Sequence, residues 1–253
     1  MPNVLRNNQS KQEVEMSIIE WKKDERVAIM TMNNGENRHN PDFIKAILMA
    51  FDEIENDETI SSVIITSSDK KNWSLGIDLE WITGAMKNNE TQTIKDFMYG
   101  LNQAFERVLL FPMPVIAAIN GHAFGDGTIL ACACDFRFMK ADRGFFCFPE
   151  IDINIPHLPG MLAIIKKAMP YYALEDLVFS GKKAVAAELE ANHVICKACE
   201  NEEALMQEAL ACAKSFNKKR AIFSETKKRL HKNIIEIMKK EDPDFIEPLK
   251  LMV

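Results

Sequence analysis

The sequence predicts an α/β domain built from repeated ββα units. Up to Pro149, apolar runs of strand length alternate with segments whose apolar residues recur at helical spacing. After Pro156 the pattern is almost entirely helical, which predicts a helical C-terminal region. The chain has 253 residues, of which 47% are hydrophobic, and this is enough for one domain with a sizeable core.

The first elements are predicted from local patterns. Residues 18–21 and 27–32 suggest a hairpin that turns around residues 23–25. The second run, VAIMTM, is apolar and β-branched throughout, which favours a strand covered on both faces. Residues 62–66 give the next buried strand.

Two amphipathic helices are predicted between these strands. Asn40 is a good N-cap residue and Pro41 suits the first helical position, so a helix should begin there. Apolar residues then recur at helical spacing: Phe43, Ile47, Ala50, Phe51 and Ile54 in this helix, and Phe97, Leu101, Ala104, Phe105, Val108 and Leu109 in a later one. Residues 83–93 between them are polar and read either as a loop near a site mouth or as a solvated connector. The connector is favoured because loops are usually just surface.

The stretch from 114 to 156 carries the chemical signal. Residues 114–119 predict a buried strand, residues 120–127 a turn punctuated by glycines, and a helix should begin near Asp126. Such a turn leaves backbone N–H groups free at the positive end of the helix, where they can bind an oxyanion. A second strand and turn deliver Glu150 out of the apolar run FCFPEI, which makes it a candidate general base. Together these parts predict enolate chemistry.

Two blocks of this sequence resemble the crotonase superfamily of enoyl-CoA hydratases and isomerases. They are AAINGHAFGDG at residues 117–127 and SLGIDL at residues 74–79, and NRHNPDFIKAI at residues 37–47 is similar to a third family segment. The resemblance covers roughly residues 17–240. The GHA triplet and DRGFFCFPEIDINIP at residues 142–156 are most similar to monofunctional 3,2-enoyl-CoA isomerases of the plant peroxisomal kind.

The resemblance implies a crotonase-like spiral with a helical C-terminal trimerisation region. We expect a disordered leader at residues 1–16, a crotonase-fold core at 17–200 and a C-terminal helical region at 201–253. The tail should contain helices at residues 162–169, 172–179, 184–190, 202–216 and 219–240, interrupted by a short strand at 193–196.

The resemblance also implies roles for individual residues. The backbone N–H groups of Leu75 and Asp126 would form the oxyanion hole, and Glu150 would be the catalytic base. Ile129 stands where family hydratases place the first of two glutamates that grip water. Other residues are implied to contact substrate or CoA: Arg38, His39, Ser74, Gly76, Ile77, Asp78, Leu79, Gly127 and Ile129.

Asp126 departs from the small residue usual at its position, and its carboxylate has three possible roles. It could repel a developing enolate, point away and cap the helix, or act as a second acid or base. Asp78 is expected to cap the helix that follows Gly76. His122 is expected to be a packed or capping histidine, and Arg38 could equally be a surface charge.

The predicted function is an acyl-CoA double-bond isomerase that converts a 3-enoyl-CoA into the trans-2-enoyl-CoA. One carboxylate can carry a proton from C2 to C4, whereas positioning a water molecule is harder without the partner glutamate. The alternatives are a hydratase, hydrolase or decarboxylase of the same fold, and a non-catalytic acyl-CoA-binding scaffold. No cofactor and no metal are expected, since CoA is part of the substrate, and the resemblance implies a homotrimer or hexamer.

Charge and hydropathy restrict the remaining partners. The formal net charge of −6 and the pI near 5.5 argue against nucleic acid as a general partner. No apolar run is long enough to span a membrane, and residues 1–16 do not resemble a secretory signal. We therefore expect no membrane association and a cytoplasmic location.

Overall fold

The computed structural model describes residues 17–252, so the predicted leader at residues 1–16 lies outside the described part. The strands are β1 Ile19–Asp24, β2 Val27–Met32, β3 Arg38–His39, β4 Ser62–Ser67, β5 Asn72–Ser74, β6 Gly76–Ile77, β7 Val115–Ile119, β8 His122–Phe124, β9 Phe136–Lys140, β10 Phe146–Cys147 and β11 Lys197–Cys199. The helices are α1 Pro41–Asn56, α2 Leu79–Lys87, α3 Thr91–Leu110, α4 Asp126–Ala133, α5 Pro159–Ala168, α6 Tyr171–Ser180, α7 Ala186–Ala191, α8 Glu202–Ser215, α9 Arg220–Leu230, α10 Lys232–Lys240 and α11 Pro243–Ile246.

A six-stranded sheet forms the base of the molecule, in the order β1-β2-β4-β7-β9-β11. β1 and β2 form the predicted antiparallel hairpin, and every other pair in this sheet is parallel. The central strand β7 is buried at all five positions, as expected for a parallel strand covered on both faces. The predicted α/β class, with strands and helices repeating along the chain, is confirmed.

Two further small sheets consist of short parallel strands. β5, β8 and β10 form a three-stranded sheet in the order β10-β8-β5, while β3 pairs with β6. The predicted turn at residues 120–127 therefore contains a strand, β8, before its helix begins. These short strands matter for function because each leads directly into a motif residue.

The first two predicted helices are present. Asn40 caps α1 by accepting a hydrogen bond from the Phe43 N–H at 3.0 Å, and Pro41 occupies the first turn. The apolar residues predicted to face the core from α1 and α3 are all buried.

Three local predictions were wrong. Residues 83–87 belong to α2, and the connector is confined to a few residues before α3. The strand predicted at 193–196 lies slightly later, at β11, because Val194 and Ile195 both donate to the Leu189 carbonyl and turn the chain. The long helix predicted at 219–240 is two helices that meet at His231.

The region after residue 200 contributes to the core. α8 covers the outer face of the main sheet, where Leu205, Ala209 and Ala213 pack in one buried cluster with Val27 and Ile64. In residues 17–252, no helix is both long enough and apolar enough to cross a membrane.

Candidate active site

Three adjacent strands bring the sequence motifs together. In the small parallel sheet, Ser74 of β5 pairs with Ala123 of β8, and Phe146 of β10 pairs with the same Ala123 on its other side. Because the strands are parallel, their carboxyl ends lie at one edge of the sheet, where α/β proteins commonly bind ligands. The segments that leave this edge carry Leu75, Asp126 and Glu150.

The two glycine blocks pack backbone against backbone. Gly76 has a φ of 72°, and a Cβ added there would lie 2.6 Å from the Phe124 carbonyl oxygen and 2.8 Å from the Asp126 nitrogen. A Cβ on Gly127 would lie 2.5 Å from the Ser74 carbonyl oxygen. Only glycine fits at both positions. The turn at residues 74–79 can therefore approach the start of α4 only because neither glycine has a side chain.

The backbone N–H of Asp126, at the amino end of α4, is a free hydrogen-bond donor. The N-cap residue Gly125 has a φ of 53° and supplies no side-chain cap. The first N–H groups of a helix have no partner within the helix. Within residues 17–252, no acceptor is found for the Asp126 N–H, so it is free to donate, and its role in an oxyanion hole stays a prediction.

The other predicted oxyanion donor is engaged. The N–H of Leu75 donates to the Glu36 carbonyl at 3.0 Å. In this structure it is therefore not free, contrary to the sequence expectation. Leu75 can serve as a donor only if this hydrogen bond is shared or opened, and its role stays a prediction.

Lys167 and Arg137 bind the carboxyl end of α4. All eight residues of this helix are buried, so its last carbonyls cannot reach water. Lys167 donates to the carbonyls of Cys132, Ala133 and Cys134 at 2.8–3.0 Å, and Arg137 donates to that of Cys134 at 2.9 Å. Burial lowers the pKa of Lys167 to about 8. These contacts fix α4 in position and complement the negative end of its dipole.

Glu150 lies in a short 3-10 turn, Pro149–Ile151, that follows β10. The residue is 9% exposed, and its Oε1 lies 3.2 Å from the position of a Cβ on Gly125. Its Oε2 is buried and has no hydrogen-bond partner in the described residues. The carboxylate thus stands beside the free end of α4 with an acceptor oxygen available for a proton, which is the geometry a general base requires.

His157 faces Glu150, and the sequence reasoning did not single it out. Its Nε2 lies 3.3 Å from Glu150 Oε2 without hydrogen-bond geometry, and the side chain is only 6% exposed. The ring packs edge-on against Phe148. The sequence shows a histidine seven residues after the candidate base. That spacing does not reveal that the chain folds back towards Glu150 after Pro156.

A cavity of about 580 Å³ surrounds these groups. It is lined by Glu150 and Asp126 together with mostly apolar side chains from α2, α4, α5 and the C-terminal segment. The apolar lining residues include Leu75, Ile77, Leu79, Ile82, Met86, Met98, Ile129, Ile155, Leu158, Met161 and Leu251. A concave apolar site with a few polar groups is typical of a small-molecule pocket.

Several predicted contacts do lie in the cavity wall, and others do not. Arg38, Leu75, Ile77, Leu79 and Ile129 line it as expected. In contrast, His39, Ser74, Gly76, Asp78 and Gly127 lie outside the lining. Asp78 instead caps α2, as predicted, through a 3.0 Å hydrogen bond from the Trp81 N–H. Thr83 and Met86 were assigned to a solvated connector, and α2 brings both into the wall.

His39 was predicted to contact CoA, and the structure contradicts this. The residue is 1% exposed, and its ring stacks on Phe43. Its Nδ1 lies 2.5 Å from Asp126 Oδ2, and its Nε2 lies 3.0 Å from Ser74 Oγ. His39 thus turns inward and binds the residue that begins α4.

The same contact decides against one of the three roles considered for Asp126, the capping of α4. Its carboxylate does not cap α4 but lies 3% exposed against His39, and Oδ1 has no hydrogen-bond partner in residues 17–252. The first turn of a helix favours a negative charge by about 0.3–1 kcal/mol. Desolvating a carboxylate costs several kcal/mol, so a charged partner or a proton is needed to hold it there.

Basic side chains are also part of the cavity wall. Arg38, Lys71 and Lys183 all contribute to the lining, and Lys183 lies over the Phe124 ring. Burial, followed by the charges of Lys71, Arg143 and Lys183, lowers the pKa of His122 below its usual range. His122 itself packs on Phe145 and accepts a hydrogen bond from its N–H at 3.2 Å, as a packed histidine should. Residues 17–252 contain no cluster of three or more His, Cys, Asp or Glu side chains suited to a metal.

This arrangement defines a class of α/β protein that can stabilise an oxyanion next to a base within an apolar pocket. A family model described as Enoyl-CoA hydratase/isomerase matches residues 22–242. The chain therefore belongs to the enoyl-CoA hydratase/isomerase family. The family predicted from residues 74–79 and 117–127 is confirmed.

The similar proteins include both isomerases and hydratases. The chain is 28% identical over 221 residues to "Enoyl-CoA delta isomerase 2, peroxisomal" of Arabidopsis thaliana, covering 85% of this chain and 92% of that protein. It is 29% identical over 179 residues to the "Short-chain-enoyl-CoA hydratase" of Clostridium acetobutylicum, covering 69% of this chain and 66% of that one. The structure of human mitochondrial delta3-delta2-enoyl-CoA isomerase superposes with a TM-score of 0.83 at 19% identity, covering 91% of this chain and 90% of the human chain, so the fold is shared.

Proposed function

We propose that the protein is an acyl-CoA double-bond isomerase that converts a 3-enoyl-CoA into the trans-2-enoyl-CoA. The observation that carries the proposal is the pairing of Glu150, which has a carboxylate oxygen free to take a proton, with the free Asp126 N–H. A thioester C2–H is a weak acid, so its removal needs both a base over C2 and a donor at the thioester oxygen.

The proposed reaction needs no external reactant. Glu150 takes the proton from C2, and the C–H electron pair enters the dienolate, whose oxygen accepts the hydrogen bond from the Asp126 N–H. The same proton then passes from Glu150 to C4, and the double bond moves to C2. Glu150 is returned to its starting state, and the substrate has gained and lost one proton.

Ile129 favours isomerisation over hydration. Its side chain is 1% exposed and contributes to the cavity wall, at the position where the resemblance expects the first hydratase glutamate. An aliphatic side chain cannot hold a water molecule in place for attack. The isomerase names of the Arabidopsis relatives agree with this, although they belong to proteins of only 28–32% identity.

A second candidate is hydration of a 2-enoyl-CoA. It is favoured by Asp126, because a buried carboxylate in the cavity wall with an unpartnered Oδ1 could replace the missing glutamate. The hydratase name of the Clostridium relative is consistent with this alternative.

The basic residues of the cavity wall suit a CoA thioester. Lys71 and Lys183 place positive charge at an apolar pocket in a chain of net charge −6, and Arg38 adds a guanidinium that is paired with Glu36 at 2.8 Å. CoA joins an anionic phosphate portion to an acyl chain. The homotrimer or hexamer and the cytoplasmic location stay predictions. The Arabidopsis relative is named as a peroxisomal protein.

Glu150→Gln tests the proposal, because the amide preserves the shape and removes the basicity. We expect kcat for 3-hexenoyl-CoA to fall by at least about 100-fold with little change in CoA-thioester affinity. The matched control is Asp152→Asn, an exposed carboxylate two residues away, which should leave kcat unchanged. Crotonyl-CoA should be hydrated slowly by the unmodified protein.

Two results would remove the assignment. Near-normal isomerisation by Glu150→Gln would show that another group carries the proton. Hydration of crotonyl-CoA faster than isomerisation of 3-hexenoyl-CoA would favour the second candidate.

A further inference from the structure

A buried chain of three polar side chains begins in the cavity wall, at Asp126, and continues through His39 to Ser74. Asp126 Oδ2 lies 2.5 Å from His39 Nδ1, and His39 Nε2 lies 3.0 Å from Ser74 Oγ. The Ser74 hydroxyl donates to the Asn37 carbonyl at 2.8 Å. The side chains of His39 and Asp126 are only 2% and 3% exposed, so water cannot complete or replace these contacts.

The hydrogen-bond partners fix the number of protons in this chain. A carbonyl only accepts, so the single hydroxyl hydrogen of Ser74 is used on Asn37 and the hydroxyl must accept from His39 Nε2–H. Nε2 therefore carries a hydrogen. A proton must also lie between Nδ1 and Oδ2, because two lone pairs would repel each other at 2.5 Å. The pair is neutral overall, whichever of the two atoms holds that proton.

This neutrality matters because of where Asp126 stands. It is the first residue of α4, and its N–H is the donor in the proposed reaction. An unneutralised carboxylate on the same residue would oppose the charge that develops on the enolate oxygen, and the low dielectric of the buried site would strengthen that repulsion.

We propose that His39 is a positioning residue that holds Asp126 as a neutral, proton-sharing pair, so that the amino end of α4 can stabilise the enolate. The inference rests on the proposed function for its catalytic consequence. The shared proton itself does not depend on the reaction, which lets the two be tested separately.

The protonation state is tested by NMR on the full protein with ¹⁵N-labelled histidine at neutral pH. We expect His39 to carry a hydrogen on Nε2, with Nδ1 protonated or strongly hydrogen-bonded, and a deshielded proton signal that disappears in Asp126→Asn. A bare Nε2 with a hydrogen on Nδ1 alone would leave Asp126 ionised beside a neutral ring, and would overturn the proposal whether or not the protein is an isomerase.

The catalytic consequence is tested by rescue. His39→Gln removes the titratable ring, and kcat for 3-hexenoyl-CoA should fall on the order of 10²-fold while KM changes little. Asp126→Asn keeps the backbone N–H and removes the charge, and its kcat, which we expect to fall far less than that of Glu150→Gln, is the reference for the rescue. The double variant His39→Gln/Asp126→Asn should then recover to within about fivefold of Asp126→Asn alone.

Controls separate folding from chemistry. His193→Asn, in a left-handed turn at a φ of 58° that asparagine tolerates, should leave kcat and KM unchanged. Thermal denaturation of each variant shows whether it folds.

A folded double variant that is not rescued would overturn the proposal. So would an Asp126→Asn variant that loses as much activity as Glu150→Gln, because Asp126 would then transfer a proton itself. If the unmodified protein does not isomerise 3-hexenoyl-CoA, the proposed function fails while the NMR result still decides the proton-sharing pair.

Discussion

Gly76→Ala should damage the site by separating the two glycine blocks. The added Cβ would lie 2.6 Å from the Phe124 carbonyl oxygen, about 0.8 Å inside the 3.4 Å at which ordinary contact begins. The Asp126 nitrogen, at 2.8 Å, is also a backbone atom. The clash can therefore be relieved only if the turn at residues 74–79 and the start of α4 move apart. The left-handed backbone at a φ of 72° adds about 1–2 kcal/mol of strain for a non-glycine residue. Overpacking typically adds about 1–3 kcal/mol.

The expected effect is therefore a loss of about 2–5 kcal/mol of unfolding free energy. Activity should also fall, because a displacement near 1 Å can cost on the order of 10²-fold in rate. Urea denaturation measures the first effect and kcat for 3-hexenoyl-CoA measures the second. Gly84→Ala is the matched control, since nothing lies within 4 Å of its added Cβ and it sits in α2, where alanine should stabilise the helix by about 1 kcal/mol. A Gly76→Ala variant with an unchanged midpoint and kcat within about twofold would refute this account of the site.

Two further predictions follow from buried side chains. Ile129→Glu should add measurable hydration of crotonyl-CoA at a cost of several kcal/mol in stability, since it places a carboxylate at a 1% exposed position; a variant as stable as the unmodified protein with no hydration would contradict it. Burial, followed by the charges of Lys167 and Lys227 and opposed by Asp135, lowers the pKa of His231 from 6.5 to about 4. The unfolded chain then binds more protons between these values, so stability should be lost as pH falls through this window, and His231→Gln should flatten the profile of denaturation midpoints between about pH 4 and 6.5.

The parts of the fold that the sequence predicted well are those decided by neighbouring residues. The Asn40 cap with Pro41 specifies where α1 begins, and the apolar spacing specifies which face it buries. The VAIMTM run specifies a strand buried on both faces. The Asp78 cap is likewise a contact over three residues. Such signals lie within one or two turns of the chain, so no knowledge of the tertiary structure is needed.

Errors arose where distant contacts decide the structure. His39 and Asp126 are separated by 87 positions, and only the pairing of β3 with β6 beside α4 brings them together. His39 was therefore predicted from its local sequence to contact CoA. The break of the last long helix at His231 was missed for a similar reason, because the helical spacing of charges continues through it while the ring itself is buried.

The proton shared by His39 and Asp126 bears directly on the charge that the cavity must carry during the proposed reaction. With that pair neutral, the negative charge of the reacting groups before proton removal lies on the proposed base, Glu150. After proton removal Glu150 is neutral and the enolate oxygen carries the charge, so one negative charge has moved from Glu150 to the enolate oxygen. The fixed dipole of α4, held at its other end by Lys167 and Arg137, can stabilise the second position without reorganisation. An ionised Asp126 would add a second negative charge on the same residue whose N–H is proposed to bind the enolate oxygen, and would oppose the step that the helix favours.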